Sequence, residues 1–160
     1  LPALITGGVA FVMMQKFYNS EESKRKFELL RENQKQALPI RLQAYERMVL
    51  LLERINPAHL LLRVAPIGKS KDDYATLLTH QIQTEFEHNL SQQIYLTAET
   101  WHVILKAKNS TVQMIRKQAL RDEVVDADKM REAIMLELTE VEAPSAIAIS
   151  FIKEELKRVF

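Results

Sequence analysis

The sequence has no cysteine. Disulfide scaffolds, thiolate metal sites and cysteine nucleophiles are therefore excluded, and nothing in it requires an oxidising compartment. Glycine is nearly missing as well: Gly7, Gly8 and Gly68 are the only three among 160 residues. Net charge is almost nil at +1, so there is no basic surplus of the kind a dedicated nucleic-acid binder carries. No clear strand pattern appears, and Gln93–Leu96 is too short to matter. What remains is rich in Leu, Glu, Gln, Lys and Arg, with five prolines. That composition predicts an all-α protein. With 47% hydrophobic and 27% charged residues the chain is expected to be ordered, at the size of one domain with a sizeable core.

Charge is also missing locally. The first fourteen residues, LPALITGGVAFVMM, carry none. A spanning helix needs roughly 20 mainly apolar residues, so fourteen are short alone. The chain begins with Leu rather than Met, and a few apolar residues ahead of Leu1 are expected to complete a single transmembrane helix. Phe17 and Tyr18 stand at the interfacial level beside Lys16. A cleaved signal peptide would need small residues at a cleavage site after the apolar run, and MMQKFY has none. Between Lys16 and Lys35 lie six Lys/Arg and four Glu. The positive-inside rule counts the former and puts the rest of the chain in the cytoplasm. Within the anchor, Ala3, Thr6, Gly7 and Ala10 gather small residues on one face, where another membrane helix can approach closely.

The expected organisation is a transmembrane anchor at 1–18, a juxtamembrane helical stalk at 19–37 and a cytoplasmic helical domain at 38–160, a bundle of about five helices. The stalk is polar, with Glu21/Arg25 and Glu22/Lys26 as i, i+4 pairs in the favourable order. Pro39 marks a kink or a new start. Leu38, Leu42, Tyr45, Met48, Val49, Leu52 and Ile55 then share one apolar face, and Asn56-Pro57 ends that helix. A short helical turn is expected between His59 and Ile67. Further helices are expected at Lys71–Leu90, Thr97–Arg121, Asp126–Glu142 and Pro144–Val159. Thr97 and Asp126 act as N-caps and Pro144 takes a first helical position. The last helix is apolar on two sides, as in a helix that is central or covered by a partner.

Few motifs carry chemistry. Gly68-Lys69-Ser70 resembles the end of a P-loop, but that motif needs a glycine where Arg63 stands. Glu-x-x-His occurs twice, as Glu85/His88 and Glu99/His102, and di-metal bundles use that spacing with all ligands inward. At 100° per residue Glu85 lies on the apolar face of its helix, among Tyr74, Ala75, Leu78, Ile82 and Phe86. His88 lies at the edge, Glu99 points away, and His102 flanks a stripe of Trp101, Ile104, Leu105, Val112, Ile115 and Ala119. Glu85, His88 and His102 are the residues a metal site here would use, and helix-end electrostatics accounts for the repeat more simply. Glu85 and Asn89 interrupt an apolar face, as Lys108 interrupts its own, and a buried carboxylate needs a partner. In a tight hairpin Glu85 falls level with His102. The expectation is a polar network of Glu85, Asn89, His102 and Lys108, with Glu85 bonded to His102, to backbone or to Lys108.

Three stretches, ALPIRLQAYERMVLLLERINP, EFEHNLSQQIY and AKNSTVQMIRKQAL, together with the apolar N-terminus, resemble an uncharacterised family of small bacterial membrane-anchored proteins. The likeness spans nearly the whole chain. It implies a bacterial inner-membrane protein with one N-terminal span, and it supplies no activity, cofactor or catalytic residue. The expected function is that of a non-enzymatic accessory or scaffold subunit. Its transmembrane helix would dock in the bilayer against a membrane subunit or against itself, and its cytoplasmic domain would bind partners. The alternatives are a membrane-tethered metal-dependent enzyme using Glu85, His88 and His102, and a homo-oligomeric membrane scaffold. No cofactor is expected.

Overall fold

The structure, a computed structural model, describes residues 2–66, 68 and 70–159. Within the first helix, side chains are described for Gly7, Gly8 and from Phe11 onward. Every regular element among the described residues is helical: α1 (Pro2–Ile55), α2 (Pro57–Arg63), α3 (Lys71–His88), a 3₁₀ helix (Leu90–Tyr95), α4 (Ala98–Ala119), α5 (Ala127–Glu140) and α6 (Pro144–Val159). The chain divides into two units, Leu1–Ile40 and Arg41–Phe160.

Local chemistry sets most boundaries. Asn56 leaves α1 and caps α2 through its side chain, which accepts from the Ala58 N–H at 3.0 Å, while Pro57 takes the first position. Ser70 caps α3, Thr97 caps α4 and Asp126 caps α5, each accepting the backbone N–H three residues on. Gly68, between α2 and α3, has φ +62, a left-handed conformation that glycine adopts without a Cβ penalty. Pro39 neither starts nor ends a helix, since α1 runs through it. Its ring nitrogen has no proton for the Lys35 carbonyl, the acceptor four residues back.

The core lies in the unit Arg41–Phe160. From α1 it takes Ala44, Tyr45, Met48, Leu51, Leu52 and Ile55, none more than 1% exposed. α3 contributes the five residues its periodicity assigns, Tyr74, Ala75, Leu78, Ile82 and Phe86. α4 is the central element, packing on α3, α5 and above all α6. The buried side of α4 is the predicted stripe turned part of the way round. Ile104, Ile115 and Ala119 are buried as expected, and Thr100, Ala107, Thr111, Met114 and Gln118 join them. Trp101, Leu105 and Val112 are half-buried against the core. These polar groups are satisfied: Thr111 Oγ1 donates to the Ala107 carbonyl at 2.9 Å, and Gln118 Nε2 donates to Glu137. Thr97 and Thr100 both donate to the Glu155 carboxylate, which ties the start of α4 to α6. The Tyr45 and Ser145 hydroxyls are buried with no partner among the described residues.

In the unit Leu1–Ile40, every side chain described is exposed. The expected transmembrane anchor is not met there: among the described residues no helix is long and apolar enough to cross a membrane. The charge-free stretch closes at Lys16, and fourteen helical residues rise about 21 Å against a hydrocarbon core of roughly 30 Å. Of the small-residue face, Ala3, Thr6 and Ala10 lie outside the described side chains. Gly7 is exposed, with open space where a Cβ would be.

Candidate functional site

The sequence singles out Glu85, and the structure gives it partners that the sequence does not suggest. Glu85 lies in the last turns of α3 with its side chain 15% exposed. The Arg54 guanidinium, from the last turn of α1, donates to Glu85 Oε1. Arg63, from the last turn of α2, brings Nη1 to 3.7 Å of the same oxygen. Arg63 Nη2 also donates to the Arg54 carbonyl at 2.9 Å. Both cations stand where helix C-termini favour positive charge. The carboxylate thus closes a three-helix junction. The hydrogen bond from Arg54 holds the Glu85 carboxyl below its usual range; burial opposes this, and the charges of Arg54, Arg63 and His88 reinforce it.

The expected Glu85–His102 hydrogen bond is therefore corrected. His102 is exposed on α4, because that helix turns Thr100, Thr111 and Gln118 inward and carries its outer flank into solvent. Asn89 belongs to the junction through the backbone, its Nδ2 donating to the Glu85 carbonyl at 2.9 Å. Lys108 meets a different group: its Nζ sits 4.9 Å from the centre of the Phe86 ring, which stacks on Trp101 with centroids 5.4 Å apart. That cation–π contact lets an ammonium group interrupt an apolar stripe. The expected four-residue network resolves into Glu85 with Asn89, a separate Lys108–Phe86–Trp101 stack, and a solvated His102.

The set Glu85, His88 and His102 does not come together as metal ligands. Both histidines are exposed and the carboxylate is held by two arginines. Among the described residues no group of three or more His, Asp or Glu is placed to hold a metal ion. Of the other histidines, His59 pairs its Nδ1 with the Glu53 carboxylate at 3.3 Å and its carbonyl at 3.0 Å, which secures the turn into α2.

The second candidate is the apolar part of α1. Phe11, Val12, Met13, Met14, Phe17 and Tyr18 are between 56% and 72% exposed. At 100° per residue Phe11, Met14 and Tyr18 share one side, Met13 and Phe17 another, and Val12 a third. The apolar surface therefore runs round the helix. A helix apolar on all sides is buried in a large core or in a membrane. Charge begins at Lys16 and then dominates, and Glu21/Arg25 is an ion pair at 4.0 Å. Sequence reasoning found this segment from its missing charges. It missed Arg54 and Arg63, because periodicity says which way a residue faces and not which helix faces it.

No curated relative and no solved structure is similar enough to the chain to match it. Over residues 1–159 the sequence matches a whole-chain pattern, and the protein belongs to that family, the family of unknown function DUF7935.

Proposed function

We propose that this protein is a membrane-tethered helical scaffold: the apolar part of α1 lies in lipid, and the helical unit Arg41–Phe160 serves as a docking body for protein subunits of a membrane complex. The observation that carries the reading is the ring of exposed Phe11, Val12, Met13, Met14, Phe17 and Tyr18. Water on every side of such a segment is costly, since about 25 cal/mol is lost for each Å² of apolar surface left wet. One partner helix would cover one side only; lipid covers all of them. Lys16, beside Phe17 and Tyr18, suits the anionic surface of a cytoplasmic leaflet. The accessory role is supported by the way the polar groups of the bundle are used. Glu85, Glu137 and Glu155 each join helices rather than converging on a cleft.

Membrane fractionation of the full chain tests the first half. The protein is expected to stay with membranes after a carbonate wash, and a variant carrying Phe11→Glu, Met14→Glu and Phe17→Glu is expected to be released. Release of the unaltered chain, or retention of the variant, would overturn the tether. For the second half, the protein is solubilised gently and its mass measured. A bare monomer with no stoichiometric partner removes the scaffold role.

A further inference from the structure

Beyond the apolar ring, α1 carries an ordered distribution of charge. All of residues 19–37 are helical and exposed. At 100° per residue, Ser20, Ser23, Phe27, Leu30 and Gln34 fall on one half of the helix surface. No acidic side chain shares that half: Glu21, Glu22, Glu28 and Glu32 all project from the other. Arg31 stands within the first half, and Lys24 and Lys26 stand toward its two opposite edges. Phe27 and Leu30 on this half are 67% and 62% exposed. The surface is a short apolar patch, Phe27 and Leu30, set between the polar Ser20, Ser23 and Gln34, with cations along both sides.

A heptad register can be laid on this half around Phe27 and Leu30. With Ser20, Phe27 and Gln34 at a positions and Ser23, Leu30 and Ala37 at d, the flanking e and g positions hold Lys24, Lys26 and Arg31 and no anion. Those positions select partner and orientation through charge. A second copy is a poor fit. Parallel copies set Lys26 against Arg31 of the other chain, and antiparallel copies set e against e and g against g, again without an acidic group. We propose that this half of α1 is a docking seam for a different helix, one that carries Glu or Asp on both flanks of an apolar stripe. A lipid surface has the matching charge, but a helix whose preceding turns are immersed leaves the bilayer here instead of lying on it. The choice of a helix over lipid thus rests on the tethered reading above.

The test uses the full chain in nanodiscs and two labelled synthetic helices of matched length, each with a Leu/Ile seam. One has Glu at its flanking positions and the other Lys. Anisotropy titrations at low salt are expected to give at least tenfold tighter binding of the Glu-flanked helix, with the preference shrinking as salt rises. The triple variant K24E/K26E/R31E should invert the order, and F27S/L30S should abolish binding of both. Equal binding of the two helices, or an order that survives charge reversal, overturns the proposal. So does sedimentation of the chain as a dimer that F27S/L30S splits, which would make the occupant a second copy. Flotation with phosphatidylglycerol vesicles that K24E/K26E/R31E abolishes, with no binding of the Glu-flanked helix, would assign the seam to lipid. The carbonate test at Phe11, Met14 and Phe17 is read on different residues, so failure of the tether and failure of the seam are told apart.

Discussion

Two stretches of the same helix meet opposite fates. Between Arg41 and Ile55, α1 places Ala44, Tyr45, Met48, Leu51, Leu52 and Ile55 on one face, and all are buried. Between Phe11 and Tyr18 its apolar residues point in all directions and are exposed, and from Asn19 to Ala37 they thin to a seam. Backbone and helix type are the same in both; the arrangement of side chains differs. A one-sided pattern is closed by a folded neighbour. An all-round pattern calls for a solvent of its own, and a cation-edged seam calls for a partner with charge. Residues of similar size and polarity, Leu52 and Phe17 for example, therefore carry different kinds of information. The first belongs to stability, and on the proposed reading the second belongs to association.

The sharpest way to break that contrast is to remove apolar volume from the buried stretch. Leu52→Ala, at a site with no exposure, is expected to cost about 2–5 kcal/mol, from lost transfer energy and the cavity left behind. Urea denaturation followed by circular dichroism measures it. A loss under about 1 kcal/mol would mean that the α1 face is not part of the cooperative core.

A smaller effect is expected at the Glu85 junction. Glu85→Gln keeps the shape and removes the charge, so the hydrogen bond from Arg54 is weakened. Arg54 is 46% exposed and can turn to water, which reduces the cost to about 1 kcal/mol at neutral pH. The sign with pH is fixed by the depressed carboxyl. Its contribution is fully present above the unfolded value of 4.5 and is lost as pH falls through the lower folded value. The gap between the original chain and Glu85→Gln should therefore close progressively below pH 4.5. A gap that stays constant down to acid collapse would show that Glu85 acts without its charge.

Of comparable or slightly smaller size is the cap of α5. Asp126 Oδ1 accepts the Lys129 N–H at 2.8 Å, and Asp126→Ala is expected to cost about 1 kcal/mol. Equilibrium unfolding reads it, and Asp126→Asn should retain most of the stability. This cap, with Thr97 and Pro144, was legible from the sequence because a cap is decided within three or four residues of chain. The apolar face of α3 was legible for a similar reason, as Tyr74, Ala75, Leu78, Ile82 and Phe86 keep helical spacing on both sides of the one carboxylate, Glu85, that shares it. α4 was legible in part. Ile104, Ile115 and Ala119 are buried where the stripe puts them, but Thr100, Thr111 and Gln118 are buried against it, and each finds its partner on its own helix or on another. That rotation turns His102 outward, and the partner of Glu85 stands not on α4 but on α1, 31 residues away. Charge-free and charge-segregated stretches were visible from composition alone.

The smallest effect on folding is expected where the apolar residues are largest and most exposed. Phe17 is 71% exposed, so Phe17→Ser removes no packing that holds the unit Arg41–Phe160 together. Its unfolding midpoint in detergent should be unchanged within error, because surface substitutions away from buried groups usually stay within about 0.5 kcal/mol. The same substitution should loosen membrane association, since wetting a phenyl ring instead of burying it forfeits about 2 kcal/mol of transfer energy. Vesicle flotation and thermal unfolding are measured on the same samples, so that the two readouts separate. If Phe17→Ser lowers the midpoint as Leu52→Ala does, the ring is part of the folded core and the contrast between the two stretches of α1 fails. If neither readout moves, the ring has no cover in lipid and the tether loses its strongest support. Only loss of flotation with a steady midpoint agrees with a helix whose one half is solved by folding and whose other half is solved by its surroundings.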